Sequence, residues 1–161
     1  LTNKTLDKEG RSIIGLWKQN IDALLSGKGL KEKNIFEELL KAAWDIGIRL
    51  QLEGRMPQEG KIKDLILRAT IEALNNAVRH ANATELNLTI KETEKEYNVE
   101  LSNDGILPGR EVIEGGGLSA LRVTVEEQGG TMGVEIESTF KLWITVPKVR
   151  EVDNHDKSID S

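Results

Sequence analysis

Hydrophobic positions along the chain follow two periods, and the places where one gives way to the other mark out the elements. From about Lys8 to Ser26, Ile14, Trp17, Ile21 and Leu24 recur at intervals of three, four and three. This is the spacing of a helix seam, open to a packed single helix or a coiled-coil pair. Ser26-Gly27-Lys28-Gly29 ends that helix, because glycine takes the left-handed cap and lowers helix propensity. A second helix is predicted near 34–46, burying Phe36, Leu39, Leu40, Ala43 and Trp44. Ile48 to Glu53 then alternates apolar and polar, which predicts a strand with one buried face, and Gly54 and Pro57 break it.

The longest helix is predicted from Lys61 to about Ala81, with Ile66, Leu67, Ile71, Leu74, Ala77 and Val78 on its apolar side. Two alternating strands follow, 86–90 and 97–101, joined by a charged turn. Residues 103–117 hold five glycines and Pro108 and predict no regular structure. A helix from Leu118 to Gln128 stops at Gly129-Gly130. Met132 to Ile136 and Leu142 to Val146 form a closing hairpin, and the polar tail from Lys148 to Ser161 lacks periodicity. Helices set apart from mostly hairpin-linked strands make an α+β fold, with helices on one face of the sheet. The organisation read from this pattern is a helix over 1–27, a linker over 28–34, a domain over 35–147 and a flexible tail over 148–161.

Composition narrows the chemistry. With 161 residues the chain suits one domain and modest extras. It has no cysteine, which removes disulfide scaffolds, zinc ribbons and thiol nucleophiles. Its two histidines, His80 and His155, exclude a multi-histidine metal centre. Lys and Arg number 22 against 27 Asp and Glu, a net charge of −5, and no basic stripe marks a nucleic-acid surface. No apolar run approaches the roughly 18–20 residues that span a bilayer. The chain begins at Leu1 with methionines only at Met56 and Met132, so it is expected to be a portion of a longer protein.

Three segments carry candidate chemistry. On the long helix Asp64, Arg68, Glu72, Asn76 and His80 lie four apart on one face, which is either a solvated face or a working one. In the second case Glu72 activates a nucleophile and Asn76 offers an oxygen to Mg²⁺, a hard cation. Ser102-Asn103-Asp104-Gly105 directly follows a strand. It is either a plain turn or a place where the Asp104 carboxylate, at the base of a pocket, accepts the exocyclic amine of adenine. Glu114-Gly115-Gly116-Gly117-Leu118 precedes a helix, and such glycines let backbone N–H groups approach a phosphate. Gly115, Gly117 and Ala120, with Glu135 further on, also satisfy a dinucleotide-binding fingerprint. The remaining strands are too few for the doubly wound sheet that fingerprint requires.

Taken in order, these segments resemble the catalytic, ATP-binding domain of sensor histidine kinases, in the GHKL (Bergerat) ATPase superfamily. Glu72-Ala-Leu-Asn-Asn-Ala-Val-Arg-His80-Ala looks like the N-box. Leu101-Ser-Asn-Asp104-Gly105 with Pro108-Gly109 looks like the first glycine box. Gly115-Gly-Gly-Leu-Ser-Ala-Leu-Arg122, continuing to Glu127-Gln-Gly129-Gly130-Thr131, looks like the second. Leu142-Trp-Ile-Thr-Val-Pro147 is similar to the last strand, and the likeness runs from about Leu39 to Pro147. The Arg79-His80 pair and the short lid look most like the nitrate-sensor and thermosensor branch.

The resemblance implies a two-layer α/β sandwich on a mixed, mostly antiparallel sheet, and an ATP-dependent protein-histidine kinase. It implies Glu72 as general base or water-polarising group near the γ-phosphate, Asn76 as Mg²⁺ ligand, and Arg79 and His80 facing the phosphates. Asp104 would meet the adenine amine, with Gly105 permitting close approach of the base, and Gly109 would also border the nucleotide. Gly115, Gly116, Gly117 and Leu118 would feed the phosphates onto the following helix. The implied cofactors are ATP and Mg²⁺. The implied partners are the phosphoacceptor helices of a dimerising parent kinase and a response regulator, with no nucleic acid and no direct membrane contact, in the cytoplasm beneath a parent that is either membrane-anchored or soluble. No acceptor histidine precedes Leu39, so self-phosphorylation is not expected. Two departures accompany the likeness: residues 105–114 lack the aromatic lid box, and Phe140 stands where the last glycine box has a threonine. They leave room for an alternative, a nucleotide-binding regulator resembling anti-sigma factors with little phosphotransfer.

Overall fold

The computed structural model describes residues 35–58, 60–78, 83–105, 116–136 and 139–148. The predicted seam helix, the linker and the polar tail lie outside these residues, as do Arg79, His80, Gly109 and Gly115. Along the described chain come α1 (Ile35–Asp45), β1 (Arg49–Glu53), α2 (Gly60–Asn76), β2 (Glu85–Glu92) and β3 (Glu96–Asn103). They are followed by α3 (Gly116–Glu127), β4 (Thr131–Ile136) and β5 (Phe140–Pro147).

The strands form one five-stranded sheet in the order β1-β2-β3-β5-β4. β1 and β2 are parallel, with Leu50 opposite Leu86, a pairing that needs a crossover such as the helix α2 between them. The other three pairings are antiparallel. α3 leads into β4, whose described partner, β5, runs antiparallel to it. The dinucleotide reading therefore has no parallel strand–helix–strand unit at its glycines, among the described residues.

Alternation decides which face is buried. Leu86, Leu88 and Ile90 of β2, Tyr97, Val99 and Leu101 of β3, and Phe140, Leu142, Ile144 and Val146 of β5 all point into one core with the helices. The intervening residues Asn87, Thr89, Glu100 and Trp143 face outward. On that outer face the Trp143 indole lies across Gly133, its register partner, in the space a Cβ would fill. The helices thus cover one face of a mixed, mostly antiparallel sheet, the expected architecture.

α2 is the central helix, in contact with α1, α3, β2 and β3. Ile62, Leu65, Ile66, Leu67, Ala69, Ile71, Ala73 and Leu74 are all buried. Thr70 is buried too, and its hydroxyl donates to the Ile66 carbonyl at 2.8 Å, which satisfies it inside the helix. α1 buries Phe36, Leu39, Ala42 and Ala43, whereas Trp44 is 68% exposed. Positions 36, 39 and 43 form the apolar stripe, and the next residue is rotated about 100° away from it, so Trp44 is not a core residue as predicted. The helix stops where Gly47, at φ +85°, donates to the Trp44 carbonyl at 3.0 Å.

Two boundaries bear on the sequence reading. α2 gives way after Asn76 to a wider, π-type turn at Ala77–Val78, and the predicted end near residue 81 lies outside the described residues. α3 begins at Gly116 rather than Leu118, so two of the three glycines are helical.

Candidate functional site

Glu72 and Asn76 stand one turn apart near the C-terminal end of α2, both half-buried. The same stretch of helix sends Ala73, Leu74 and Ala77 into the core, which fixes its rotation about its own axis. Gly117, the second residue of α3, packs directly on Glu72. A Cβ at Gly117 would overlap the Glu72 carboxylate, with Oε1 as its nearest atom. With Glu72 in this rotamer, the missing side chain of Gly117 is what leaves room for its carboxylate. Leu118, the next residue, is buried, and Arg122 ties α3 to β4 by donating to the Met132 carbonyl at 2.6 Å. The segment read as an N-box and the segment read as a second glycine box are therefore in contact, with a carboxylate between them.

The end of β3 carries the second group of candidate residues. Asp104 is exposed and its carboxylate is engaged locally. Oδ1 accepts the backbone N–H groups of Thr84 and Glu85, each at 2.8 Å, and Oδ2 accepts the Thr84 hydroxyl at 2.6 Å. The Thr84 hydroxyl, aided by the two backbone donors, holds the Asp104 carboxyl below the usual carboxylate range, against a smaller opposing effect of burial. Asp104 thus fastens the start of β2 to the end of β3, and it is the neighbouring Asn103 that turns inward. Asn103 continues the inward alternation of Tyr97, Val99 and Leu101 and is 4% exposed. Its Oδ1 accepts the Gly105 N–H at 2.8 Å, and its Nδ2 has no hydrogen-bond partner among the described residues. Gly105 is buried beside it.

An open pocket of about 450 Å³ is lined by Trp44, Gly47, Arg49, Thr84 and Glu85. It shares Thr84 and Glu85 with the Asp104 bonds, but its lining includes none of Glu72, Asn76, Asn103 or Gly117. The concavity and the polar residues under the helices are separate features. Among the described residues no three His, Cys, Asp or Glu side chains gather as a metal cage. A magnesium ion at Asn76 fits the donor chemistry in another way, since Mg²⁺ commonly takes one or two protein oxygens and completes its shell with phosphate and water.

No family model matches the chain. The chain is 27% identical over 134 residues to the sensor histidine kinase DesK of Bacillus subtilis, a match covering 80% of this chain and 36% of DesK. Its fold superposes on the histidine kinase AdeS of Acinetobacter baumannii with a TM-score of 0.55, at 17% identity, over 84% of this chain and 77% of that one. The histidine kinase domain of the blue-light activated kinase EL346 of Erythrobacter litoralis gives a TM-score of 0.52 at 16% identity, covering 86% of this chain and 60% of that one. The chain resembles the histidine-kinase catalytic domain in sequence and in fold. It spans about a third of the length of DesK.

Of the residues the sequence singled out, the structure joins Glu72 with Gly117 and keeps Asn76 on the same helix. It sets Asp104 and Gly105 at the end of β3, and Gly116 and Leu118 at the start of α3. Two residues escaped the sequence reading, Thr84 as the main partner of Asp104 and Asn103 as the inward-facing polar group. The signal for Asn103 was present in the alternation from Tyr97, which puts odd-numbered positions inside. Phe140 is fully buried and paired with Ile136, so the residue standing in place of the last glycine box serves the core. Among the described residues no helix is long and apolar enough to cross a membrane.

Proposed function

We propose that the chain binds Mg-ATP and acts as the phosphoryl-donating catalytic domain of a sensor histidine kinase. The contact of Glu72 with Gly117 supports this most directly, because it brings an acidic residue to the N-terminus of a glycine-led helix. That is where an anionic phosphate is favoured by free backbone N–H groups and the helix dipole. In this reading α3 receives the phosphates through Gly116, Gly117 and the Leu118 backbone, and Asn76 supplies an oxygen to the metal. Arg79 and His80 complete the phosphate side, with Gly109 and Gly115 bordering the nucleotide. Bound Mg²⁺ would neutralise charge on the phosphate oxygens. As the lone pair of the acceptor attacks the γ-phosphorus and ADP leaves, Glu72 takes the acceptor's N–H proton. The rest is positioning, which is the main requirement of phosphoryl transfer.

The acceptor is a histidine on the dimerisation helices of the parent kinase, and the phosphoryl group then passes to a response regulator. Resemblance to DesK along the sequence supports the kinase assignment. Calorimetric titration with Mg-ADP and a non-hydrolysable Mg-ATP analogue tests it. Saturable binding that weakens on chelating Mg²⁺ is expected, and no heat with either nucleotide would overturn the reading.

A further inference from the structure

The unpartnered amide of Asn103 is the one buried side-chain nitrogen or oxygen left without a hydrogen bond among the described residues. Leaving such a group unpaired is costly, and buried polar groups in folded proteins are nearly always paired. The Gly105 N–H fixes which end of the amide is which. It is bound to Oδ1 at 2.8 Å, so Nδ2, with its two hydrogens, is the free end. Oδ1 keeps a second lone pair. Asn103 therefore presents a donor and an acceptor side by side from the inward face of β3, at a position whose register partner is the apolar Leu86. Asp104 offers nothing equivalent, because three donors from Thr84 and Glu85 already occupy most of its carboxylate and it faces outward.

We infer that Asn103, rather than Asp104, reads the nucleotide base, and that its amide donor admits purines with an oxygen at position 6 alongside adenine. This rests on the nucleotide-binding reading above. A carboxylate only accepts hydrogen bonds, so it selects the adenine amine and repels the guanine carbonyl. A carboxamide satisfies both edges. Toward adenine, Oδ1 accepts from the amine and Nδ2 donates to the adjacent ring nitrogen. Toward guanine the amide turns over and gives up the Gly105 N–H, so that Nδ2 donates to the carbonyl oxygen and Oδ1 accepts from the ring N–H, at the cost of that one bond. Sites that hydrogen-bond a substrate group reject an analogue lacking it by about 10⁴-fold or more, so exchanging one donor pattern for another is expected to show clearly in the ratio of affinities.

The test measures dissociation constants of the chain for Mg-ATP and Mg-GTP by calorimetry, with circular dichroism and melting curves confirming that each variant is folded. The wild-type chain is expected to hold GTP within about a hundredfold of ATP. Asn103→Asp is expected to weaken GTP at least about tenfold relative to ATP. Asn103→Leu, similar in size but without polar atoms, is expected to weaken both by about tenfold and keeps the test valid if the aspartate variant does not fold. Three results overturn the inference while leaving nucleotide binding intact. They are rejection of GTP by the wild type, an unchanged GTP-to-ATP ratio in Asn103→Asp, or Asn103→Leu binding ATP normally while Asp104→Asn loses it. Failure of the wild type to bind either nucleotide overturns the nucleotide-binding reading itself.

Discussion

The contact between α2 and α3 and the corner between β2 and β3 are both candidate parts of one site, but they are specified by different physics. At the first, space decides. Gly117 is present because the Glu72 carboxylate occupies the volume of its missing side chain. At the second, register decides. Asn103 and Asp104 are neighbours of similar size and shape, yet one is buried and short of a partner while the other is exposed and holds three hydrogen bonds. A volume constraint is broken by adding a methyl group. A register constraint is tested by exchanging chemistry at adjacent positions.

The largest effect is expected at the α2–α3 contact. In Gly117→Ala the new methyl displaces the Glu72 carboxylate. That group is the far end of a flexible side chain and can swing aside, while alanine gains helix propensity. Stability is therefore expected to move by no more than about 1 kcal/mol. Function is affected more, because a carboxylate moved by about 1 Å can lose roughly a hundredfold in rate. Phosphoryl transfer to acceptor helices supplied in trans, measured beside thermal melts, checks both parts. A large fall in melting temperature with transfer intact would show that the glycine serves packing alone. In a Glu72→Ala background the conflict disappears, and Gly117→Ala is then expected to be neutral or stabilising by up to about 1 kcal/mol.

The difference between the two regions also explains what could be read from the chain. Period-2 and period-3.6 patterns located every described helix and strand to within a few residues, because one buried face imposes those patterns. The α2 ladder brought out Glu72 and Asn76, and the glycine run brought out Gly116 and Gly117. The role of Gly117 was harder to see. Glycine before a helix suggests backbone freedom, whereas the structure shows side-chain room for a residue 45 positions earlier, a tertiary relation that local sequence does not record. At the β3 end the information was present but outweighed. A carboxylate in Asn-Asp-Gly attracts attention as chemistry, while the alternation through Tyr97, Val99 and Leu101 puts position 103 inside. The donors that occupy Asp104 come from Thr84 and Glu85, some twenty residues away. Trp44 follows the same lesson: its hydrophobicity suggests the core, while its place on the helical wheel puts it in solvent.

An intermediate effect is expected at Asp104. Asp104→Ala leaves the Thr84 and Glu85 N–H groups to water and is expected to lower stability by about 1 kcal/mol. Asp104→Asn keeps an acceptor for both N–H groups and is expected to lose less. The pH dependence has a definite sign. The folded carboxyl lies below its ordinary value, so its stabilisation is fully present above the unfolded-state value and is lost as pH falls through the folded one. Melting curves of the wild type and Asp104→Asn should therefore differ most at neutral pH and converge in acid. A gap that stays constant with pH would mean that the Asp104 charge does not strengthen the corner.

The smallest effect is expected at Asp64, on the same four-residue ladder as Glu72, and it runs in the opposite direction. Burial raises the Asp64 carboxyl above its ordinary value, outweighing the attraction of Arg68 and Lys63. A raised carboxyl binds its proton more tightly in the folded state than in the unfolded one. Stability is then highest below the unfolded-state value and falls as pH rises through the folded one. Asp64→Asn removes the charge that burial disfavours and also removes the attraction to Arg68 and Lys63. At neutral pH the net change is expected to stay within roughly 0.5 kcal/mol. Its pH trend is the informative part: relative to wild type, Asp64→Asn should gain stability as pH rises, where Asp104→Asn loses it. Parallel trends for the two variants would show that the two carboxylates do not differ in environment as their burial and hydrogen bonding require.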